Sequence, residues 1–346
     1  MSSYRFNALT TWAAQQNGLS EADISLSSAV GDASFRRYFR LTLPNGSTQV
    51  VMDAPPEQED SAPFVAIAKR WHSAGLPVPK VLAANLAEGF LLLDDLGNTP
   101  LQNLFTDDAT TQAYHAQALT LIAELQNRAG PDSLPAYDTA LLGRELDLFP
   151  EWCLDAWLNL PPPESWQAIR EHLIQQAIAQ PVVSVHRDYD AMNLMVHDQR
   201  LFMIDFQDAV AGPLSYDVIS LLRGRYCRFS SEQFDDFVKA FYQQARHDGR
   251  LPSSVDFVTF LNQCHAMAAQ RSLKVLGIFC RLTLRDQKSG YLERLPHFLN
   301  HLEDSLSSLS LSTMPPSTLS QQAEFTEWVK RTLRPAIEQR LSGSAL

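Results

Sequence analysis

Over the first ninety-odd residues the apolar positions come mostly in short runs, and over most of the remainder they recur at helical spacing. Tyr4 to Gln16 reads as a short amphipathic helix stopped by Asn17-Gly18. From there the pattern predicts three strands, Ile24 to Val30, Tyr38 to Leu43 and Gln49 to Met52. Gly31-Asp32 and Pro44-Asn45-Gly46 separate them as turns, so hairpins are expected. Phe64, Ile67, Ala68 and Trp71 then mark a helix over Ser61 to Ala74, and the two prolines of Gly75-Leu76-Pro77-Val78-Pro79 forbid its continuation. Two further strands, Lys80 to Ala84 and Phe90 to Leu93, complete a small sheet with one helix beside it.

After Gly97 the spacing turns helical. Helices are predicted over Thr110 to Arg128, Glu145 to Leu158 (kinked or split at Pro150) and Ser165 to Ala179. A β-rich insertion runs from Val182 to Phe206, and beyond Gly212-Pro213 the helices resume. Ser305 to Ser320 is rich in serine and reads as a loop. The order of elements gives an α+β protein with an N-terminal part over residues 1–96 and a C-terminal part over 97–346, the working unit covering about 20–310.

Composition narrows the function classes. The 346 residues are 45% hydrophobic and 19% charged, enough for a packed core. A net charge of −11 argues against a nucleic-acid partner, which selects for basic patches. Cys153, Cys227, Cys264 and Cys280 form no CxxC pair and read as neither a zinc site nor a disulfide framework. No basic head precedes an apolar stretch at the N-terminus, and no window approaches the ~20 apolar residues of a membrane span, so a cytoplasmic enzyme is expected, with no protein partner evident.

The chemistry concentrates in residues 182–206. An apolar strand, Val182 to Val185, delivers the polar loop His186-Arg187-Asp188-Tyr189-Asp190-Ala191-Met192-Asn193. A second strand, Leu194 to Val196, turns at His197-Asp198-Gln199-Arg200 into a third, Leu201 to Ile204, which presents Asp205 at its end. Antiparallel neighbours set the start of one strand beside the end of the other, so Asn193 and Asp205 are expected side by side. One carboxylate and one amide oxygen suit Mg²⁺, a hard ion that takes oxygen ligands. Asp188, on the same loop, is placed to orient an incoming hydroxyl, which completes the requirements of phosphoryl transfer. Taken singly, His-Arg-Asp is an ordinary polar loop and an Asp ending a strand is an ordinary turn residue. Asn193 five residues after Asp188, between apolar strands, with Asp205 twelve residues further on, is a far more specific combination.

This segment resembles the protein-kinase catalytic loop H-R-D-x-x-x-x-N, and Asp205-Phe206-Gln207 resembles D-F-G with Gln in place of Gly. With Gly212-Pro213-Leu214-Ser215-Tyr216-Asp217, the chain resembles aminoglycoside phosphotransferases and choline kinases. The resemblance implies a bilobal protein-kinase-like fold, with a small antiparallel N-lobe and a mostly helical C-lobe. It makes Asp188 the catalytic base, Asn193 and Asp205 the Mg²⁺ ligands, and His186 and Asp217 structural supports, with ATP as phosphoryl donor. The loop Gly31-Asp32-Ala33-Ser34-Phe35-Arg36-Arg37 would cover the phosphates through Gly31, Ala33, Ser34 and Arg37, and adenine would meet the backbone around Asp94, Asp95 and Leu96. The third strand lacks the kinase lysine, so Arg36, Arg37 or Arg40 is the candidate replacement.

Val51 to Glu57, Gly89 to Gly97, Leu276 to Leu282 and Asp286 to Leu292 resemble bacterial anomeric sugar kinases, which act on the C1 hydroxyl of N-acetylmuramic acid and N-acetylglucosamine in cell-wall recycling. The missing lysine is shared with that group. Tyr189-Asp190-Ala191-Met192-Asn193 departs from the Tyr-His-Ser-Arg-Asn expected of it. Glu145, Trp152, Asp190, Arg223 and Arg271 are the candidate sugar contacts, an Arg suiting a lactyl carboxylate. An aminoglycoside or amino-alcohol kinase and a non-catalytic binding module with this fold remain the alternatives.

Overall fold

The structure, a computed structural model, describes residues 3–29, 35–309 and 316–343. They form two units, one of residues 1–105 and 192–208, the other of residues 106–191 and 209–346.

The first unit is built on an antiparallel sheet. Helix α1 (Ser3–Gln16) leads to β1 (Ser25–Ser28), β2 (Arg37–Thr42) and β3 (Thr48–Asp53). Helix α2 (Ala62–Ser73) separates these from β4 (Val81–Asn85) and β5 (Phe90–Asp94). The sheet order β1-β2-β3-β5-β4 is the meander the hairpin signals predicted, with β5 inserted between β3 and β4. Leu9 and Ala13 of α1 pack on Leu41, Val51, Phe90 and Leu92, joined by Trp12 and Phe39. Gly89 sets the β4–β5 turn. Its φ is +70°, and a Cβ there would lie 1.8 Å from the Ala54 carbonyl oxygen, so no larger residue fits. Phe206 completes this unit by stacking on Phe64 at 4.8 Å and tilting against Trp71 at 5.4 Å.

In the second unit, α3 (Asp108–Arg128) and α4 (Thr139–Leu148) each start from an aspartate, Asp107 and Asp138, whose carboxylates accept first-turn backbone N–H groups at 2.8 Å. Pro150 does not break the following segment. The helix widens to π geometry over Phe149–Leu158 and ends at Asn159, in the left-handed region with φ 54°. After α5 (Trp166–Ile178) comes β6 (Val182–Val185). The chain then contributes β7 (Leu194–His197) and β8 (Arg200–Met203) to the first unit and returns as β9 (Val210–Pro213), which pairs with β6. The sequence reading missed β9 and took 182–206 as one insertion. Hydrogen bonding divides it, because β6 pairs with β9 while β7 and β8 pair only with each other.

The remainder is helical: α6 (Tyr216–Leu222), α7 (Ser231–His247), α8 (Phe257–Leu284), α9 (Leu295–Ser308), α10 (Pro316–Trp328) and α11 (Arg334–Gly343). The serine-rich stretch is therefore a loop in part at most, since α9 runs to Ser308 and α10 starts at Pro316, and residues 310–315 lie outside the described residues. Among the described residues no helix is long and apolar enough to cross a membrane.

Candidate active site

The loop after β6 is held by one buried carboxylate. Asp217, in the first turn of α6, accepts the backbone N–H of His186 at 2.7 Å and of Arg187 at 3.0 Å. Arg187 sits at φ 77°, a conformation costly for a side-chain-bearing residue, so these two bonds fix a backbone that would otherwise relax. Burial pushes the Asp217 carboxyl up to about 7, against the pull of the two N–H groups, with Asp188 adding to the rise. The His186 ring is fully buried and meets Tyr189 edge-on at 5.6 Å, and the Tyr189 hydroxyl donates to the Ala118 carbonyl at 2.8 Å. With its neighbours anchored, Asp188 is left on the exposed side of the loop.

Behind the loop lies a buried ion cluster that the sequence reading did not foresee. Glu145 of α4 receives Arg187 at 2.7 Å and Lys274 of α8 at 2.9 Å, and the Tyr137 hydroxyl donates to its second oxygen. Lys274 also donates to the Tyr216 hydroxyl at 2.9 Å. Burial works against the charge on Glu145, but Lys274 and Arg187 hold its carboxyl below the ordinary range. Glu145, a candidate sugar contact, is thus enclosed and engaged with Arg187 of the loop after β6. Lys274 is one of six lysines and stands three residues before Gly277, inside a helix whose sequence carries no local sign of an ion pair.

Of the other acceptor candidates, Arg223 is 2% exposed, with Asp304 at 3.5 Å and its guanidinium over the Phe234 ring. Arg271 is buried and donates to the Arg223 carbonyl at 3.4 Å. Asp190 is buried, its backbone N–H donating to the Asp188 carbonyl at 2.9 Å and its carboxylate facing Arg225 at 3.3 Å. Trp152 lies in the π-helical segment, half-buried.

In the first unit, β7 and β8 pair in the register Leu194↔Met203, and the Ile204 N–H donates to the Asn193 carbonyl at 3.0 Å. Asp198 and Gln199 turn between them with φ 47° and 60°, the two-residue turn that matches strand twist. Asn193 therefore adjoins Ile204, and Asp205 is the next residue, held at φ 61°. The Asp205 carboxylate meets Gln207 at 2.9 Å and Arg36 at 3.4 Å, and 43% of its side chain stays exposed. A half-exposed carboxylate beside an amide is a hard oxygen donor set, which fits Mg²⁺.

The three arginines differ in what they reach. Arg37 pairs with Asp53 at 2.5 Å, and Arg40 grips Asp95 through two bonds at 2.5 and 2.8 Å. Arg36 bridges Glu59 at 2.5 Å and Asp205 at 3.4 Å, and among the described residues it alone of the three reaches Asp205. Asp95 also accepts the Gly97 N–H at 2.9 Å, Asp94 pairs its backbone N–H with the Lys80 carbonyl at 3.1 Å, and Leu96 is buried. Gly31, Ala33 and Ser34 lie outside the described residues.

The family model described as "Phosphotransferase enzyme family" matches residues 25–252. An N-acetylmuramate/N-acetylglucosamine kinase of Neisseria meningitidis is 40% identical over 82% of this chain and 86% of its own length. One of Pseudomonas putida is 38% identical over 87% of this chain and 91% of its own. Among solved structures, a Plasmodium vivax ethanolamine kinase superposes with a TM-score of 0.58 at 9% identity, covering 87% of this chain and 85% of that one. An ADP-bound aminoglycoside phosphotransferase gives 0.55 at 14% identity, covering 88% and 99%. These neighbours fix the fold as protein-kinase-like.

Proposed function

As the chain belongs to the phosphotransferase enzyme family, we propose that it is an ATP-dependent sugar kinase that phosphorylates the anomeric hydroxyl of N-acetylmuramic acid and N-acetylglucosamine, a step of peptidoglycan recycling. The observation that carries this reading is identity of 38–40% over more than four-fifths of the chain to kinases named for those two sugars.

In this reading Asp188 accepts the proton of the C1 hydroxyl as the oxygen attacks the γ-phosphorus of ATP and ADP leaves. An anomeric hydroxyl is more acidic than an ordinary alcohol, which eases that transfer to a carboxylate. Asp217 holds the loop on which Asp188 is presented, through the His186 and Arg187 N–H groups. Asn193 and Asp205 would hold Mg²⁺, which when bound would neutralise phosphate charge. Arg36 supplies the positive charge that the third strand lacks, its fork geometry suiting phosphate.

The test is phosphorus NMR of the product formed from N-acetylglucosamine with Mg-ATP, alongside an acceptor panel followed by ADP release. Phosphate on C1 is expected, with Asp188→Asn slower by roughly 10²–10⁴-fold. Phosphate on C6, or choline or kanamycin turned over faster than the N-acetylated sugars, would end the reading.

A further inference from the structure

Next to the catalytic loop lies a second cluster that the proposed roles leave unused. Arg225, just beyond α6, sends only its Nε to Asp190, at 3.3 Å. Its side chain is 25% exposed, and neither Nη nitrogen has a hydrogen-bond partner among the described residues. Tyr226 flanks it with the guanidinium 5.9 Å from the ring centroid, and Tyr291 lies close enough to act on its charge. Burial raises the Tyr226 phenol, while Arg294 lies near enough to favour its ionised form. Tyr291 is placed by Phe279, whose ring meets it edge-on at 5.2 Å. Tyr291 belongs to the segment Asp286 to Leu292, singled out in the sequence.

The link to the reacting hydroxyl is short. Asp190 bonds through its backbone to the Asp188 carbonyl and through its carboxylate to Arg225. The charge count is also informative. Asp190 and Arg225 neutralise each other, and the exposed Arg294 leaves the cluster one positive charge in excess. Without Arg225, the buried Asp190 carboxylate would repel an anionic acceptor from the base. With it, two Nη nitrogens remain without a hydrogen-bond partner among the described residues, a fork whose shape suits a carboxylate. The Tyr226 ring beside them supplies flat apolar surface with a polar tip, the usual lining for a sugar, and Tyr291 lies within electrostatic range.

We propose that the outward face of the Arg225 guanidinium, supported by Asp190, Tyr226, Tyr291 and Arg294, is the subsite that takes the carboxylate of an acidic N-acetylated sugar, and so sets the preference for N-acetylmuramate over N-acetylglucosamine. This rests on the sugar-kinase reading. Arg223 and Arg271, the arginines the sequence pointed to, are turned to Asp304, Phe234 and backbone, whereas Arg225 two residues on keeps its donors open.

The experiment compares kcat/KM for the two sugars in wild type, Arg225→Gln, Arg225→Lys and the double variant Asp190→Asn/Arg225→Gln, with thermal midpoints recorded for each. Arg225→Gln should shift the ratio against the acidic sugar by about ten- to a hundredfold, the scale of a charge-assisted hydrogen bond. Arg225→Lys should recover part of the ratio. The double variant removes the orphaned carboxylate and should recover the thermal midpoint but not the ratio. If both sugars fall in parallel in Arg225→Gln, or the double variant restores the ratio, Arg225 acts only by supporting Asp190 and the proposal is overturned. A wild type that turns over the neutral sugar alone also ends it. A wild type inactive on both sugars removes the sugar-kinase reading itself, which separates that failure from failure of the subsite.

Discussion

At the scale of single residues, the site depends on whether a buried carboxylate can hold two backbone N–H groups at once. Asp217 does so with both oxygens, and an asparagine has only one acceptor to offer. In Asp217→Asn one N–H loses its partner, at about 1–3 kcal/mol, and the left-handed Arg187 is no longer pinned. The expected result is a kcat lower by about ten- to a hundredfold, measured at saturating sugar and ATP. The same carboxyl sets a pH dependence of stability. Its folded value of about 7 lies above the ordinary 3.8, so between those values the folded protein binds more protons than the unfolded chain. The contribution of Asp217 to stability is therefore full below about pH 4 and is lost as pH rises through 7. Denaturant titrations at pH 5 and pH 8 should show a smaller pH effect in Asp217→Asn than in wild type, and equal slopes would remove the assignment of this titration to Asp217.

Among elements, the long helix α8 organises the second unit, and one of its glycines carries a measurable constraint. A Cβ on Gly277 would lie 2.4 Å from the backbone carbon and oxygen of Leu148, where α4 passes into the π-helical segment. Replacing glycine by alanine inside a helix gains about 1 kcal/mol of intrinsic propensity, but forcing a methyl into backbone costs typically 1–3 kcal/mol, and backbone has no rotamer to give. Gly277→Ala should therefore lower the thermal midpoint, while Gly343→Ala, where nothing lies within 4 Å, should leave it nearly unchanged or raise it. A Gly277→Ala protein as stable as wild type would show that the helices can separate freely. The phrase Leu276 to Leu282 stood out in the sequence as a likeness, and its physical reason becomes visible only once α4 and α8 are packed. Local signals fared better. The turns at Pro44-Asn45-Gly46 and Asp198-Gln199 act within a few residues, and the Gly31-Asp32 turn expected from the sequence lies outside the described residues. The strands they bound were accordingly readable, whereas the caps Asp107 and Asp138 went unread, and the sequence pattern began the second helix at Glu145 rather than Thr139. The short β9 strand carries a Gly-Pro that argues against a strand in isolation, and only its partner β6 makes it one.

For the molecule as a whole, the chain visits the first unit twice and the second unit twice, so neither unit is a continuous stretch of sequence. Asp188, Asn193 and Asp205, the residues proposed for the chemistry, were readable as candidates because they fall in one short segment. The buried Glu145–Arg187–Lys274 cluster and the Asp190–Arg225 pair were not, because each joins helices or loops far apart in sequence, with no spacing rule to connect them. Ligand linkage tests the proposed donor side at this scale. A ligand bound only by the folded state at a hundred times its Kd adds about 2.7 kcal/mol. At roughly 2–4 °C per kcal/mol for domains of 150–250 residues, Mg-ATP should raise the thermal midpoint of wild type by about 5–10 °C. Chelation of the metal should remove much of that rise. Asp205→Asn weakens the oxygen donor set beside Asn193, so its midpoint should respond to ATP almost equally with and without Mg²⁺. Arg36→Ala instead removes a phosphate-matching cation while leaving both oxygen donors, so its rise should be smaller but should still depend on the metal. A midpoint in Arg36→Ala that climbs with Mg-ATP as far as in wild type would transfer the missing lysine's role elsewhere, and a wild type unmoved by Mg-ATP would deprive Asn193 and Asp205 of the role assigned to them.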